Sequence, residues 1–356
     1  MYKKVGSANI VYGELPQGCK LCLRGAKAVL FVTGLCPRRC FYCPLGFDRR
    51  FRDIQFINER PIAKEDDIIE EMMMMDARGT GITGGEPLLV LERTIKYIRL
   101  IKNTFGEEHH IHMYTSETRG SVNRIIRLFE EGLDELRMHP YILGKVNFEF
   151  IEEVAKNKPE TARVGIEIPA LPGEESRIKK LILKLDKIGI DFINLNELEF
   201  TETNSYSLMA RGYSLRSDSY TAAEGSRETA LNVLKWASCK NINMTIHFCS
   251  ALSKDKVQTK LRYFRRGINM VKPYEKLTDE GTILYLSVKF KTHRDAEAFI
   301  RQLKLPRSLF KVENKRVYTS IDLIDEVKKA KNIVKAEVME LSATYHRQVM
   351  GITPLL

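Results

Sequence analysis

The stretch AVLFVTGLCPRRCFYCP, residues 28–44, decides how the chain reads. Its first part, AVLFVTG at 28–34, is a short apolar run rich in strand-forming residues and closed by a glycine, the pattern of a buried strand. Directly after it come Cys36, Cys40 and Cys43 in the spacing C-x3-C-x2-C. Thiolates this close together in one loop can hold an iron–sulfur cluster or a metal ion. A structural zinc site needs four donors, commonly from paired C-x2-C units. Three thiolates on a four-iron cubane leave one iron without a protein ligand, which is what a catalytic centre requires. A structural zinc knuckle is the competing reading.

Outward from this loop, short apolar runs alternate with amphipathic stretches. The pattern predicts strands near 28–34, 80–84, 110–115, 133–138, 163–169, 192–197 and 243–249, and helices near 65–78, 91–104, 121–131, 147–157, 174–188 and 224–239. Strand then helix, repeated six times, implies parallel strands with crossover helices. Side chains alternate across a strand, and four of these strands share a polar face: His110, His112 and Tyr114; Gly165 and Glu167; Asn194 and Asn196; Asn243, Thr245, His247 and Cys249. A parallel sheet covered by helices on both faces should be apolar on both. A curved, barrel-like sheet with a polar lumen therefore fits better than a flat doubly wound one. Edge strands facing water are the alternative. His110, His112, Glu167, Asn194, Asn196 and His247 become candidates to line a cavity, and Glu197 and Glu199 stand near a strand end.

The triplet, with an aromatic before its last cysteine, resembles the signature of the radical S-adenosylmethionine superfamily. Further motifs follow in the same order. Thr83-Gly84-Gly85-Glu86-Pro87 resembles the family's GGE motif, Thr115 and Ser116 its polar strand end, and Arg137 and His139 its ribose or carboxylate contacts. Val164 to Gly173 resembles the adenine-binding stretch, with Pro169 where a glycine is commoner, and Tyr42 matches the aromatic beside the adenine. The wording around these motifs (GCKLC, VTGLC, TGGEP, NLNELE) is most like an archaeal group related to pyruvate formate-lyase activating enzyme. The resemblance covers about residues 28–200. It implies a partial (β/α)6-type TIM barrel, a [4Fe-4S] cluster on Cys36, Cys40 and Cys43, and S-adenosylmethionine on the open iron. It also implies reductive cleavage to a 5′-deoxyadenosyl radical that abstracts hydrogen, making the chain an oxidoreductase fed by a reductase or ferredoxin-like donor. Glu86 would offer negative charge to the methionine ammonium. Glu167, Asn194 and Asn196 join the candidate cofactor contacts.

Four cysteines remain. Cys19 and Cys22 form C-x2-C, Cys249 shares a strand face with His247, and Cys239 ends a helix. An auxiliary site of Cys19, Cys22 and Cys249 with His247 or Cys239, carrying a second cluster or zinc, is one reading. Disulfides or buried free thiols are the other. An odd seven cysteines without a secretory h-region argues against a disulfide framework.

The organisation expected is a CxxC segment at 1–27, the barrel at 28–250, a basic linker helix at 251–280, and a small α+β domain of ferredoxin-like type at 281–356. That domain has strands at 282–290, 316–319 and 333–342 and helices at 293–303 and 320–331. The net charge is +11, of which +6 lies in 281–356. The run 254–266, with six Lys/Arg around Tyr263 and Phe264, could attract the phosphates of tRNA or be a solvated face of a basic, Gln-poor, thermophile-like protein. The substrate is left open among tRNA, a protein and a small metabolite. A non-enzymatic cluster or zinc protein binding RNA is the contrasting class. Composition excludes global disorder, and no apolar run is long enough to span a membrane, so a cytoplasmic location is expected.

Overall fold

The computed structural model describes residues 2–117 and 120–356; Met1, Thr118 and Arg119 lie outside it. The chain divides into two units, Met1–Glu70 with Ala77–Gln258, and Glu71–Asp76 with Thr259–Leu356.

The first unit begins with a hairpin of β1 (Tyr2–Val5) and β2 (Asn9–Tyr12), then a short helix α1 (Gln17–Leu23). Strand β3 (Lys27–Phe31) leads into the cysteine loop, which returns through a small ladder of β4 (Phe56–Ile57) and β5 (Arg60–Pro61). The regular alternation follows: α2 (Glu65–Met74), β6 (Gly79–Thr83), α3 (Leu91–Phe105), β7 (His110–Thr115), α4 (Asn123–Glu130), β8 (Glu135–Met138), α5 (Phe148–Asn157), β9 (Arg163–Ala170), α6 (Glu175–Ile188), β10 (Phe192–Glu197), α7 (Ser205–Met209), α8 (Ser226–Ser238) and β11 (Thr245–Cys249). The unit ends in α9 (Ala251–Ser253) and most of a π-helical turn, Lys254–Thr259.

All seven expected strands form, and they pair in parallel in the order β3-β6-β7-β8-β9-β10-β11. The order never reverses. A doubly wound sheet must reverse at a switch point; a sheet that advances in one direction curls as a βα barrel does. This one stays open, because β3 takes β4 and β11 takes β2, each antiparallel, at its two ends. It is a partial barrel in an α/β unit. Residues 2–23 are not a separate segment. The hairpin extends the barrel sheet, and α1 lies against the polar inner face of the strands. A Cβ on Gly18 of α1 would stand 2.5 Å from the His112 ring and 2.7 Å from the Arg137 guanidinium. The polar faces are thus lumen faces closed by a helix, not edges open to water. The opposite faces, with Ile111, Met113, Leu136, Ile166, Ile193 and Ile246 fully buried, are where burial of apolar area stabilises the fold.

The second unit contains α10 (Lys260–Met270), β12 (Lys276–Leu277), β13 (Thr282–Phe290), α11 (His293–Leu303), β14 (Phe310–Glu313), β15 (Arg316–Thr319), α12 (Ile324–Lys329), β16 (Ile333–Ser342) and β17 (Val349–Pro354). Its antiparallel sheet runs β14-β15-β13-β16-β17, with β12 beside β13. Strands β13, β14, β15 and β16 with α11 and α12 make a β-α-β-β-α-β unit in split order. The sequence pattern missed β14 and β17. The core here is Leu286, Val288, Phe290, Phe299, Val317 and Val327, and α11 opens on a Thr292–Asp295 capping box. Within this unit the Arg266 guanidinium grips the buried Glu71 carboxylate at 2.8 and 2.9 Å.

Candidate active site

The site forms where the parallel strands end. A cavity of about 500 Å³ opens there, bordered by Cys36, Cys40, Cys43, Gly84, Gly85 and Tyr42, and further by Thr115, Ser116, His139, Glu167 and Asn196. This is the face where barrel active sites are built, because the loops following the strands converge on it.

The backbone of the cysteine loop is locked onto the glycine motif. Gly85 N–H donates to the Thr33 carbonyl at 2.7 Å, and Glu86 N–H to the Leu35 carbonyl at 2.7 Å. A Cβ on Gly84 would come within 2.6 Å of the Thr33 oxygen, and one on Gly85 within 2.1 Å of the Leu35 oxygen. The two glycines are required because the loop's own carbonyls press on them.

Glu86 works as a brace behind the cavity. It is 1% exposed and is not part of the cavity wall. Its carboxylate accepts from Thr115 Oγ1 (2.7 Å), Ser116 N (2.6 Å), Ser116 Oγ (2.7 Å) and Leu88 N (3.1 Å). It therefore ties the end of β6 to the end of β7 and caps the turn at Pro87–Val90. It positions the Thr115 and Ser116 groups that border the cavity.

His139 and Tyr42 make a fixed pair. His139 Nδ1 lies 2.6 Å from the Glu167 carbonyl and Nε2 lies 2.9 Å from Tyr42 Oη. A carbonyl only accepts, so Nδ1 carries the proton and Nε2 accepts from the tyrosine hydroxyl. Burial holds the His139 pKa below its ordinary value against the Glu167 carbonyl, so the ring is neutral. Burial likewise keeps the Tyr42 phenol protonated. Burial also pushes the Cys36 and Cys40 thiols up, against hydrogen bonds that lower them; a bound cation would reverse that balance.

Arg137 does not reach this cavity. It is 2% exposed and points into the lumen. Its guanidinium meets Glu135 at 2.5 and 2.6 Å, Glu167 at 3.0 Å, the Tyr114 hydroxyl at 3.1 Å and Cys19 Sγ at 3.3 Å. Its partners form an internal ion-pair network in the lumen, away from the strand-end cavity. Burial alone would raise the Glu167 pKa, but Arg137, Asn196 and Asn194 outweigh it and hold the carboxylate below its usual range. Asn194 Nδ2 and Asn196 Nδ2 each donate to Glu167 at 2.9 Å. Of the three, Asn194 faces the lumen alone, whereas Glu167 and Asn196 border both spaces.

A second cavity of about 180 Å³ lies in the lumen and is bordered by Cys19, Cys22, Cys249 and His247. Cys239 is exposed at the end of α8 and takes no part, so it drops out of the auxiliary set. All seven cysteines are free thiols, which sets the disulfide readings aside. His112 and His110 face α1 from β7 and border neither cavity. Sequence reasoning missed Glu135, Lys254 and Gln258. The first is a buried acid on the lumen face of β8, and the other two come from the π-helical turn, for which the sequence holds no periodic signal.

A barrel whose strand ends present three thiols, two glycines and a braced polar rim has the layout of an enzyme that binds a cluster and a nucleoside-bearing cofactor. The superfamily profile described as Radical SAM matches residues 30–142. A Methanocaldococcus jannaschii protein, named as a candidate glycyl-radical enzyme activating enzyme, is 36% identical over 330 residues, covering 89% of this chain and 86% of that one. A probable dual-specificity RNA methyltransferase of Thermotoga maritima is 29% identical over 45% of this chain and 52% of its own. Among solved structures, Streptococcus suis SuiB has a TM-score of 0.43 at 12% identity, over 65% of this chain and 52% of that one. The chain belongs to the radical SAM superfamily. Within it, the chain is related to the activating enzymes of the pyruvate formate-lyase type.

Family membership implies a four-iron cluster and S-adenosylmethionine. The residues fit. Three thiols border one cavity, and three thiolates on a four-iron cluster held there would leave one iron open. When bound, the pair supplies one-electron cleavage of a sulfonium and an adenosyl radical.

Proposed function

We propose that the chain uses Cys36, Cys40 and Cys43 to hold the cluster that cleaves S-adenosylmethionine, and that the radical abstracts hydrogen from a glycine α-carbon of a partner protein. The observation that carries the chemistry is the joint lining of one cavity by the three thiols and the paired glycines. The protein substrate is supported by the 36% identity to a candidate activating enzyme over most of both chains.

The residues then divide the work. Gly84 and Gly85 admit the cysteine loop and leave backbone groups facing the cofactor. Thr115 and Ser116, held by Glu86, offer hydroxyls. The neutral His139 keeps Tyr42 oriented against the cavity wall. Asn196 and Glu167 present polar atoms from the floor. Reducing electrons would come from a ferredoxin-like donor, and an oxidoreductase at work on a protein suits a cytoplasmic setting. Among the described residues no helix is long and apolar enough to cross a membrane.

An RNA substrate draws on the basic run 254–266. There Lys254 pairs with Glu199, Lys260 with Glu280, Arg265 with Asp76 and Arg266 with Glu71. Pairing weakens the phosphate attraction, which favours the protein reading. The test is isotopic. Glycine peptides labelled with deuterium at the α-carbon should pass one deuterium into 5′-deoxyadenosine. Unlabelled 5′-deoxyadenosine, together with RNA retained in a pull-down at low but not high salt, would replace the protein substrate with RNA.

A further inference from the structure

The lumen cavity is untouched by the chemistry at the strand ends, yet it gathers three thiols and an imidazole from distant parts of the chain. Cys19 and Cys22 stand three residues apart on α1, which places them on one helix face. Cys249 closes β11, and His247, two residues earlier, shares its strand face. All four border the same space of about 180 Å³.

The imidazole is set in a particular tautomer. His247 Nδ1 lies 3.1 Å from Asn194 Oδ1. Asn194 Nδ2 donates to Glu167 Oε2 at 2.9 Å, which fixes the amide's orientation and makes its oxygen the acceptor for His247. The proton is therefore on Nδ1, and Nε2 keeps a bare lone pair. Among the described residues that atom has no hydrogen-bond partner, in a residue 1% exposed. A buried acceptor without a partner is unfavourable and calls for a reason. A histidine whose other nitrogen is held by an amide oxygen is oriented as a metal ligand is.

The spacing of the thiols argues for the kind of metal. The Gln258 amide stands between two of them: Cys22 Sγ donates to its Oε1 at 2.6 Å, and its Nε2 lies 3.8 Å from Cys249 Sγ. With a carboxamide held between them, these two thiols stand apart around a space and do not meet at one point. Zinc draws four donors onto one point. A cluster takes each thiolate on a different iron and so needs them spread around a space. Gln258 belongs to the π-helical turn Lys254–Thr259, an irregularity that recurs at functional sites.

We infer that Cys19, Cys22 and Cys249 hold a second iron–sulfur cluster inside the barrel, with His247 Nε2 as fourth ligand, and that Gln258 fills the place until the cluster loads. Tyr114, Glu167, Asn196 and Lys254 border both this cavity and the one at the strand ends, so a single layer of side chains separates the two centres.

Iron, sulfide and zinc are counted in the anaerobically reconstituted full chain and in its C36A/C40A/C43A variant. The expected result is about eight irons per chain in the first and about four in the second, two cubanes and one. A variant that keeps no iron, or keeps zinc in its place, overturns the inference. If the native chain and the variant both hold about four, the second cluster stands and the triplet's role falls, so the two assignments fail separately. Cys22→Ala in the triplet variant should remove the remaining iron. Because that change could also disturb folding, His247→Ala in the native chain gives a second reading. Iron content should stay, and the electron paramagnetic resonance of one reduced cluster should shift. An unchanged spectrum removes His247 from the ligand set.

Discussion

The mouth and the lumen of this barrel hold comparable sets of cysteines but are built differently. At the mouth the main chain does the positioning. Loop carbonyls of Thr33 and Leu35 press on Gly84 and Gly85, and one buried carboxylate, Glu86, gathers the ends of two strands. In the lumen, side chains do it. Arg137 sits between Glu135 and Glu167, and α1 is admitted by a glycine at 18. The mouth can thus lose a side chain and keep its shape, whereas the lumen depends on every charge having its partner.

The largest expected effect breaks the lumen. Arg137→Ala leaves Glu135 and Glu167 buried without their cation, and removing one member of a buried pair costs about 3–5 kcal/mol. The urea midpoint of the metal-free chain should fall accordingly, while Cys40→Ser at the mouth should barely move it. Equal shifts would erase the contrast. Next is Gly85→Ala. Its Cβ would stand 2.1 Å from the Leu35 oxygen, so the cysteine loop must shift. Overpacking of this kind costs about 1–3 kcal/mol, and iron retained by the triplet should drop more steeply than stability does.

Glu86→Gln is smaller. It keeps the shape but loses charge-assisted acceptance from Ser116, each such bond being worth about 1.5–3 kcal/mol against about 1 for a neutral one. Affinity for S-adenosylmethionine should weaken because Thr115 and Ser116 are no longer held, with iron content unchanged. If affinity is untouched, Glu86 only caps its turn.

The remaining test is in pH. His109, bonded to Thr80 at 2.9 Å, is held down to about 4 by burial and by neighbouring cations. Its folded pKa lies below the unfolded 6.5, so the unfolded chain binds more protons between these values. The histidine's contribution is complete above about 6.5 and is lost as pH falls toward 4, at up to about 1.4 kcal/mol per pH unit. His109→Gln should lessen the slope of the unfolding midpoint between pH 6.5 and 5 without abolishing it, because burial also lowers His110, His112, His139 and His247; an unchanged slope would assign the loss to those groups.

What the sequence disclosed follows the same division. The mouth was legible because its parts are contiguous: Cys36 to Cys43 in one loop, Gly84 and Gly85 in one turn, each at the end of a strand with clear apolar alternation. The seven parallel strands were legible for the same reason. The lumen was legible as a polar face and as a scattered set of Cys19, Cys22, Cys249 and His247, but not as a charge network. Strand alternation puts Glu135 and Arg137 on one face of β8, but nothing local to Arg137 shows that Glu167 meets it, since that contact comes from β8 and β9 side by side. Nor does the short α1, at seven residues, announce that it plugs a barrel. Strand β14 was missed because four residues, FKVE, fall below what alternation resolves. Strand β17 was missed because Gly351 and Pro354 read as turn residues, which an edge strand tolerates.

The central claim is that the mouth is a radical-generating site, and one measurement tests it most directly. Full-length protein, reconstituted anaerobically and reduced with dithionite, is incubated with S-adenosylmethionine, and 5′-deoxyadenosine is quantified beside the C36A/C40A/C43A variant. The account predicts 5′-deoxyadenosine from the native chain and none above background from the variant. A fully loaded native chain that yields no more than the variant would contradict it.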